Sequence, residues 1–206
     1  MTRVLLIRHG ETSWNREGRW QGQADVPLSD KGVRQAEALA RALRPGANAI
    51  RAVYSSDLRR AQDTALILAA AIGIKPVLDP IWREMDVGCW SGLSREEIRG
   101  RFPDEWARIH SGEDLARGGG DTFGQFFARV VGALERLSRQ HHGETVAVVT
   151  HGGVIRAALL HALGLSFERL HEVAVVENAT LSELRVNGSS WEIASRNERA
   201  PFEYGA

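Results

Sequence analysis

Two short apolar runs, far apart in the chain, each lead into a histidine that is followed by glycine. The first run, residues 4–7, precedes Arg8 and His9, and the second, residues 146–149, lies just before His151. Continuous apolar runs of this length are typical of strands that are buried on both faces of a sheet. Ligands of open α/β sheets bind at the carboxyl ends of the strands. If the two strands are neighbours, we expect both imidazoles and the guanidinium to meet over one crevice.

Further strand signals alternate with segments of helical periodicity. Strands are predicted at about 3–8, 51–55 and 145–150, with weaker signals near 75–78 and 172–194. Helices are predicted over about 33–43 with a stop at Pro45-Gly46, over 61–72, over 123–137, and from just after His151 to about Leu163 with Gly164 as the stop. Capping boxes are predicted at Ser94 with Glu97 and at Thr122 with Gln125. This alternation predicts an α/β fold with a mostly parallel central sheet and helices on both faces.

The C-terminal part of the chain has a different pattern. Apolar segments at 173–176, 180–184 and 191–193 follow one another without helical segments between them. Asn187-Gly188 separates the last two, and Asn-Gly is a strong signal for a hairpin turn. We therefore predict antiparallel C-terminal edge strands. No linker or break in composition divides the 206 residues, so we predict a single domain over 1–206.

Composition excludes several classes of protein. The 26 basic and 26 acidic side chains balance, which argues against a protein that binds a nucleic-acid backbone. The longest apolar stretch, residues 65–74, is too short to span a membrane, and residues 4–7 are too short for the core of a signal peptide. Cys89 is the only cysteine, so no intramolecular disulfide can form. We expect a soluble cytoplasmic protein without a membrane or nucleic-acid partner.

The neighbours of His9 favour an anionic ligand. A single histidine at a strand end is more often structural, but Arg8 adds a fork of donors suited to phosphate. Gly10 permits close approach of a backbone, and Asn15 adds an amide. An arginine and a histidine at a strand terminus are costly to bury unless an anion accompanies them.

Two later segments repeat the combination of strand, polar residues and helix start. Residues 55–61 open a helix after the strand at 52–54, and either Arg59 or Arg60 can point back toward the sheet, although both can also be solvated. After the second strand, the backbone N–H of Gly152 can donate to an oxyanion. His151, taken alone, can equally be a structural histidine of the core.

A carboxyl group for acid–base chemistry is predicted in the segment 82–88. Glu84 lies beside Trp82 and not far from Trp90, and a partly shielded carboxyl near a bound phosphate suits a general acid. Asp86 competes for the same role, and Glu84 can also be a surface residue paired with Arg83. We find no spacing of carboxylates, cysteines or histidines typical of a metal site, so no metal or cofactor is predicted.

The ordered set of motifs resembles the histidine phosphatase superfamily, which includes the cofactor-dependent phosphoglycerate mutases. The resemblance covers residues 3 to about 165 and comprises Arg8-His9-Gly10-Glu11-Thr12 with Trp14-Asn15, Gln21-Gly22, Pro27-Leu28-Ser29 with Gly32, Tyr54 to Ala61, Arg83-Glu84 with Gly88, Trp90 and Gly92, and Thr150-His151-Gly152-Gly153. Two motifs depart from the family pattern. Ser91 stands where a glutamate is usual, and Gly119-Gly120-Asp121-Thr122 replaces Gly-Gly-Glu-Ser.

The resemblance implies a role for each matching residue. His9 would be the nucleophile that becomes phosphohistidine, and Glu84 would protonate the leaving oxygen. Arg8, Arg60 and His151 would hold the phosphoryl oxygens. Asn15, Gln21, Gly22 and Gly152 would complete the substrate-binding residues. Of the two adjacent arginines, Arg60 matches the family position.

The resemblance leaves three functions open. The mutases carry a longer insertion between the acid and the second histidine, so the compact stretch 85–150 favours a metal-independent phosphomonoesterase for small phosphorylated metabolites. A cofactor-dependent phosphoglycerate mutase and a non-catalytic module that binds phosphorylated ligands are the alternatives. Residues 93–121 are predicted to form a cap-like insertion, and a homodimer is possible. In the cap, the cations that could meet a second anionic group of the substrate are Arg101, Arg108, His110 and Arg117.

Overall fold

A six-stranded sheet forms the centre of the molecule. The computed structural model describes residues 1–44 and 49–200. The strands are β1 (Thr2–Arg8), β2 (Ile50–Ser55), β3 (Val77–Leu78), β4 (Thr145–Thr150), β5 (Thr180–Asn187) and β6 (Ser190–Arg199). In space they lie in the order β3-β2-β4-β1-β5-β6. The first four strands are parallel, and β5 and β6 add antiparallel edge strands, which confirms the predicted sheet.

Helices cover both faces of this sheet. They are α1 (Ser13–Arg16), α2 (Asp30–Leu43), α3 (Arg59–Ile72), α4 (Arg95–Arg101), α5 (Pro103–His110), α6 (Phe123–Gln140) and α7 (Gly152–Ala162). Val4 and Leu6 of β1 pack in a cluster with α6 and α7, whereas Leu5 and Ile7 pack in a second cluster with α2 and α3. Successive side chains of a strand point to opposite faces, so a strand covered on both sides is apolar throughout. No helix within the described ranges is long and apolar enough to cross a membrane.

The predicted helix signals have clear structural counterparts. Ser94 and Thr122 both form the predicted capping boxes, at the starts of α4 and α6. Gly164, the predicted stop of α7, lies two residues beyond its end with a φ of 66°. The predicted stop at Pro45-Gly46 lies outside the described residues.

The prediction of a strand at 173–176 is wrong. The carbonyl of Val173 accepts hydrogen bonds from Arg156 at 3.0 and 2.8 Å, and the carbonyl of Val176 accepts one from Arg8. Arginine side chains thus satisfy backbone groups that a neighbouring strand would otherwise bind. Val173 and Val176 are buried while Val175 is 71% exposed, so the apolar run is a connection that crosses the edge of the sheet.

Candidate active site

The two histidines meet where β1 and β4 end. The strands are parallel neighbours with Arg8 opposite Thr150, so the residues that follow leave the sheet at the same edge. The ring centroids of His9 and His151 are 5.2 Å apart, with their planes inclined by 59°. His9 is 2% exposed and His151 is fully buried. The structure therefore confirms the predicted meeting of the two imidazoles.

Hydrogen bonds fix the orientation of both rings. Nδ1 of His9 lies 2.7 Å from the carbonyl oxygen of Gly10. A carbonyl can only accept, so Nδ1 carries the proton and Nε2 keeps its lone pair when the ring is neutral. Nε2 of His151 lies 2.9 Å from the hydroxyl of Ser56. The geometry thus leaves Nε2 of His9 and Nδ1 of His151 as the two nitrogens available to a ligand.

Arg60, the second residue of α3, points back toward the sheet edge. It is 1% exposed, and its two terminal nitrogens donate to the carbonyls of Ala24 and Gly22, each at 2.7 Å. The side chain of Arg59 is 61% exposed and pairs with Asp63. The alternative in which both arginines are solvated is therefore wrong, and the structure selects Arg60.

Several polar atoms around the histidines are buried without a hydrogen-bond partner in the described part of the chain. They are Nε of Arg8, Nε of Arg60, Nδ1 of His151 and Oε1 of Gln21. A buried polar atom that lacks a partner costs about 1–3 kcal/mol, so such atoms are rare in folded proteins. Three of the four belong to groups that donate or can carry positive charge. This part of the molecule therefore offers hydrogen-bond donors, unpaired among the described residues, to an anionic ligand.

Glu84 is held on the opposite wall of the same site. Its Oε2 accepts the backbone N–H of Gly153 at 2.9 Å, and its Oε1 accepts that of Met85 at 2.9 Å. A Cβ on Gly153 would lie 2.2 Å from Oε1, so a larger residue there would displace the carboxyl from this position. Asp86, the competing carboxyl, instead accepts the backbone N–H of Gly88 at 2.9 Å, and it does not line the cavity.

A cavity of about 290 Å³ joins these groups. The predicted site residues on its wall are Arg8, His9, Asn15, Gln21, Gly22, Arg60 and Glu84. His151 lies beside His9, below the cavity surface. Gly152 occupies the first turn of α7, but the glycine on the wall is Gly153. In the described ranges no three histidine, cysteine, aspartate or glutamate side chains are placed to hold a metal ion.

Burial and like charges change the protonation of the site. Burial, followed by the charges of Arg60 and Arg8, lowers the pKa of His9 well below its ordinary value. Burial and the charge of Arg60 likewise lower the pKa of His151. Burial lowers the pKa of Arg60 to about 10, so it remains charged at neutral pH. His9 is therefore neutral at neutral pH. Because the pKa of His151 is lowered, its protonation would require the negative charge of a bound oxyanion.

Acidification is expected to destabilise the folded protein below pH 6.5, the ordinary histidine value. There the unfolded chain protonates both histidines while the folded chain does not, so stability present above pH 6.5 is lost as the pH falls. Each group contributes about 1.4 kcal/mol per pH unit at most. Urea unfolding at several pH values measures the slope of the free energy of unfolding against pH. The His161→Gln variant serves as the background, because it removes a third histidine whose pKa is lowered. The further change His151→Gln should halve the slope, and an unchanged slope would contradict these shifts.

Sequence reasoning missed several residues of the site. Ser56 orients His151, Asn178 donates to the backbone carbonyl of His9 at 3.1 Å, and Arg156 lines the cavity from α7. Ser56 lies within the motif at 54–61 but was given no role, whereas Asn178 and Arg156 lie in no pattern that distinguishes them from a surface or turn residue. Ser91, the departure from the family motif, donates to the backbone carbonyl of Gln21 at 3.0 Å.

Of the four cations predicted in the cap, one reaches the cavity. Arg117 lines it, whereas the exposed Arg101 and Arg108 pair with Glu97 and Glu113. His110 stacks on a neighbouring tryptophan, with ring centroids 3.9 Å apart. Residues 93–121 contain α4, α5 and a 3₁₀ turn, and their role as a cap stays a prediction.

Comparison with known proteins agrees with this geometry. A metal-independent phosphoserine phosphatase from Arabidopsis thaliana is 37% identical over 198 residues, which cover 95% of this chain and 81% of that protein. Phosphoglycerate mutase-like protein 4 from the same plant is 37% identical over 195 residues, 92% of this chain and 82% of that protein. The structure of a mycobacterial glucosyl-3-phosphoglycerate phosphatase in complex with VO3 matches with a TM-score of 0.85 at 31% identity, over 95% of this chain and 98% of that one.

The family model of the histidine phosphatase superfamily (branch 1) matches residues 4–199. The phosphatase relatives and the solved phosphatase structure support hydrolysis over isomerisation, and they set aside a non-catalytic binding module. The site brings imidazoles, guanidinium groups and a carboxyl together, in agreement with these matches. This chain therefore belongs to the histidine phosphatase superfamily and is a phosphoric monoester hydrolase.

Proposed function

We propose that this enzyme hydrolyses a small phosphomonoester that also carries a carboxylate, with phosphoserine as the first candidate, through a phosphohistidine on His9 and without a metal ion. One observation carries the proposal. Nε2 of His9 is free for attack in a buried site where Arg8, Arg60 and His151 present nitrogens that have no partner among the described residues.

The reaction proceeds in two steps. In the first, the Nε2 lone pair of His9 bonds to phosphorus while the P–O bond to the leaving group breaks and Glu84 gives its proton to the departing oxygen. Arg8, Arg60 and His151 stabilise the charge on the other phosphoryl oxygens. In the second, Glu84 takes a proton from water, the water oxygen bonds to phosphorus and the P–N bond breaks. Inorganic phosphate leaves, and the initial state of both residues is restored.

Asn15 completes the proposed phosphate site. Its Oδ1 accepts hydrogen bonds from the backbone N–H of Thr12 and the amide of Asn178, both at 3.1 Å. These bonds fix which end of the side chain is the acceptor. The NH₂ group is then the end that donates to a phosphoryl oxygen.

Arg117 supports a carboxylate in the substrate. Its guanidinium lines the cavity, lies 5.6 Å from the ring centroid of Phe123, and contacts the sulfur of Met85 at 3.6 Å. A thioether is a weak acceptor, whereas a carboxylate can engage the guanidinium fork with two charged hydrogen bonds. Phosphoserine and glucosyl-3-phosphoglycerate, named in two of the similar proteins, both combine a phosphate with a carboxylate.

A pair of matched substrates tests this part of the proposal. O-Phosphoethanolamine is phosphoserine without its carboxylate, and kcat/KM is expected to be about 10- to 100-fold lower for it, the worth of a charged hydrogen bond. Arg117→Met should bring the two values together, while Arg108→Met, a change at an exposed arginine of the same region, should keep them apart. Equal values for both substrates in the unmodified enzyme would exclude carboxylate recognition.

Isomerisation remains the second candidate because one similar protein is named phosphoglycerate mutase-like. A mutase must keep its phosphohistidine from water while the bound substrate reorients. We expect 3-phosphoglycerate, with or without bisphosphoglycerate, to yield inorganic phosphate rather than its isomer. Accumulation of 2-phosphoglycerate would reverse this choice.

A further inference from the structure

One arginine outside the anion site binds the backbone of the loop that carries Glu84. Arg129 lies on α6, and its Nη1 donates to the carbonyls of Ile81 at 2.6 Å and Arg83 at 2.9 Å. Its Nη2 donates to the carbonyl of Glu84 at 3.3 Å. The guanidinium lies 5.0 Å from the ring centroid of Phe126, and the side chain is only 22% exposed. A single side chain thus satisfies three carbonyls of one short loop.

The loop has little regular structure of its own to hold it. It begins in the 3₁₀ turn Pro80–Trp82, which contains Ile81, and continues to the 3₁₀ turn Gly88–Trp90. Gln23 gives the carbonyl of Glu84 a second donor at 3.3 Å, and Asp121 accepts the N–H of Asp86 at 2.9 Å. Backbone groups that lack partners in a helix or sheet must find them elsewhere. The position of Glu84 therefore depends on side chains that reach the loop from other elements.

We propose that Arg129 is a positioning residue, which sets the carboxyl of Glu84 within reach of the leaving oxygen by holding the backbone of the loop at three carbonyls. The backbone N–H of Gly153 holds the same carboxyl from the opposite side. Two nitrogens of one planar guanidinium bind the three carbonyls, a spacing that the single nitrogen of a lysine ammonium cannot reproduce. This inference rests on the proposed role of Glu84 as the acid.

The chemistry of that role supplies a specific signature. An alkoxide is a poor leaving group and needs the proton of Glu84, whereas 4-nitrophenolate leaves readily without one. Loss of the acid, or its displacement, should therefore slow the cleavage of alkyl phosphates far more than that of aryl phosphates. Damage to the anion site would slow both equally, and Arg129 does not line the cavity.

The experiment compares kcat/KM for 4-nitrophenyl phosphate and for 2-glycerol phosphate in Arg129→Met. This constant covers the steps up to departure of the leaving group and excludes the later attack of water. We expect kcat/KM for the alkyl substrate to fall by about 10- to 100-fold, the effect of moving the Glu84 carboxyl by about 1 Å. For the aryl substrate, kcat/KM should fall by less than about threefold. Arg129→Lys should recover only part of the loss. Vanadate, a probe of the anion site, should inhibit all variants with an unchanged constant.

Arg139→Met is the matched control, because this exposed arginine of α6 pairs with Glu135 and does not touch the loop. Equal losses on the two substrates, no loss, or full recovery by lysine would overturn the inference. If Arg129→Met does not fold, the same measurement is made on Arg129→Lys. Its kcat/KM should again fall more for the alkyl than for the aryl substrate, by a smaller factor, and equal losses on both substrates would overturn the inference.

Glu84→Gln separates the failure of this inference from failure of the proposed function. If Glu84→Gln lacks the preference for the aryl substrate, Glu84 is not the acid and the proposed mechanism fails with the inference. If Glu84→Gln shows that preference and Arg129→Met does not, only the role of Arg129 is wrong.

Discussion

The substitution His9→Ala is expected to lower kcat for 4-nitrophenyl phosphate by about 10⁴-fold or more, the scale of loss when a nucleophile is removed. The reason is geometric. Nδ1 of His9 is engaged by the carbonyl of Gly10, so Nε2 is the nitrogen available to attack. The second imidazole is not equivalent to it, because Nε2 of His151 contacts Ser56 and only Nδ1 of that ring is available to a ligand. Rapid-quench kinetics with labelled substrate should also show that the acid-labile phosphoenzyme is absent.

A histidine outside the site provides the control for this change. His142 is exposed in the turn before β4, and its replacement by alanine should leave kcat and the phosphoenzyme unchanged. The His9→Ala protein should still bind vanadate, because Arg8, Arg60 and His151 remain. Turnover within tenfold of the unmodified enzyme would remove His9 from the role of nucleophile.

The position of the two histidines could be predicted because it depends on a few local rules. Apolar runs indicated buried strands, and parallel strands place their carboxyl ends at one edge. The sequence did not show that β4 lies directly between β1 and β2. That order places Arg60, which follows β2, on the other side of His151 from His9, and it closes the anion site.

The residues that sequence reasoning missed act through the backbone of distant segments. Arg129 binds carbonyls more than 40 positions away, and Asn178 donates to the carbonyl of His9 across 169 positions. Such partners depend on the complete fold, and no local spacing in the sequence predicts them. The wrong strand at 173–176 has the same origin, because arginines from β1 and α7 bind carbonyls that sequence reasoning assigned to a strand.

The arrangement of charges has an energetic consequence for the enzyme. Arg60 is buried and Arg8 is half-buried beside two histidines, and each lowers the pKa of His9. Burial of like charges costs stability, and a bound oxyanion both neutralises the charge and supplies the missing hydrogen bonds. Binding of vanadate or phosphate should therefore raise the unfolding temperature, by an amount that grows with the logarithm of the ligand concentration once it exceeds Kd.

The two adjacent arginines of α3 are expected to differ by about three orders of magnitude in their effect on catalysis. Arg60→Met removes a charge aimed at the transferring phosphoryl group, and such arginines contribute about 10³- to 10⁵-fold to kcat. Arg59→Met alters an exposed side chain paired with Asp63 and should change kcat/KM by less than about threefold, because surface ion pairs contribute little.

Steady-state kinetics on an aryl phosphate, with a vanadate titration of the unfolding temperature, measures both variants under one set of conditions. Arg60→Lys keeps the charge but cannot bind the carbonyls of Gly22 and Ala24 as the fork does, so we expect it to lie between Arg60→Met and the unmodified enzyme. Vanadate should also raise the unfolding temperature of Arg60→Met much less than that of the unmodified enzyme. A larger loss for Arg59→Met than for Arg60→Met would show that the anion site is organised around the other arginine, because the two side chains leave the helix in different directions and only one can face the histidines.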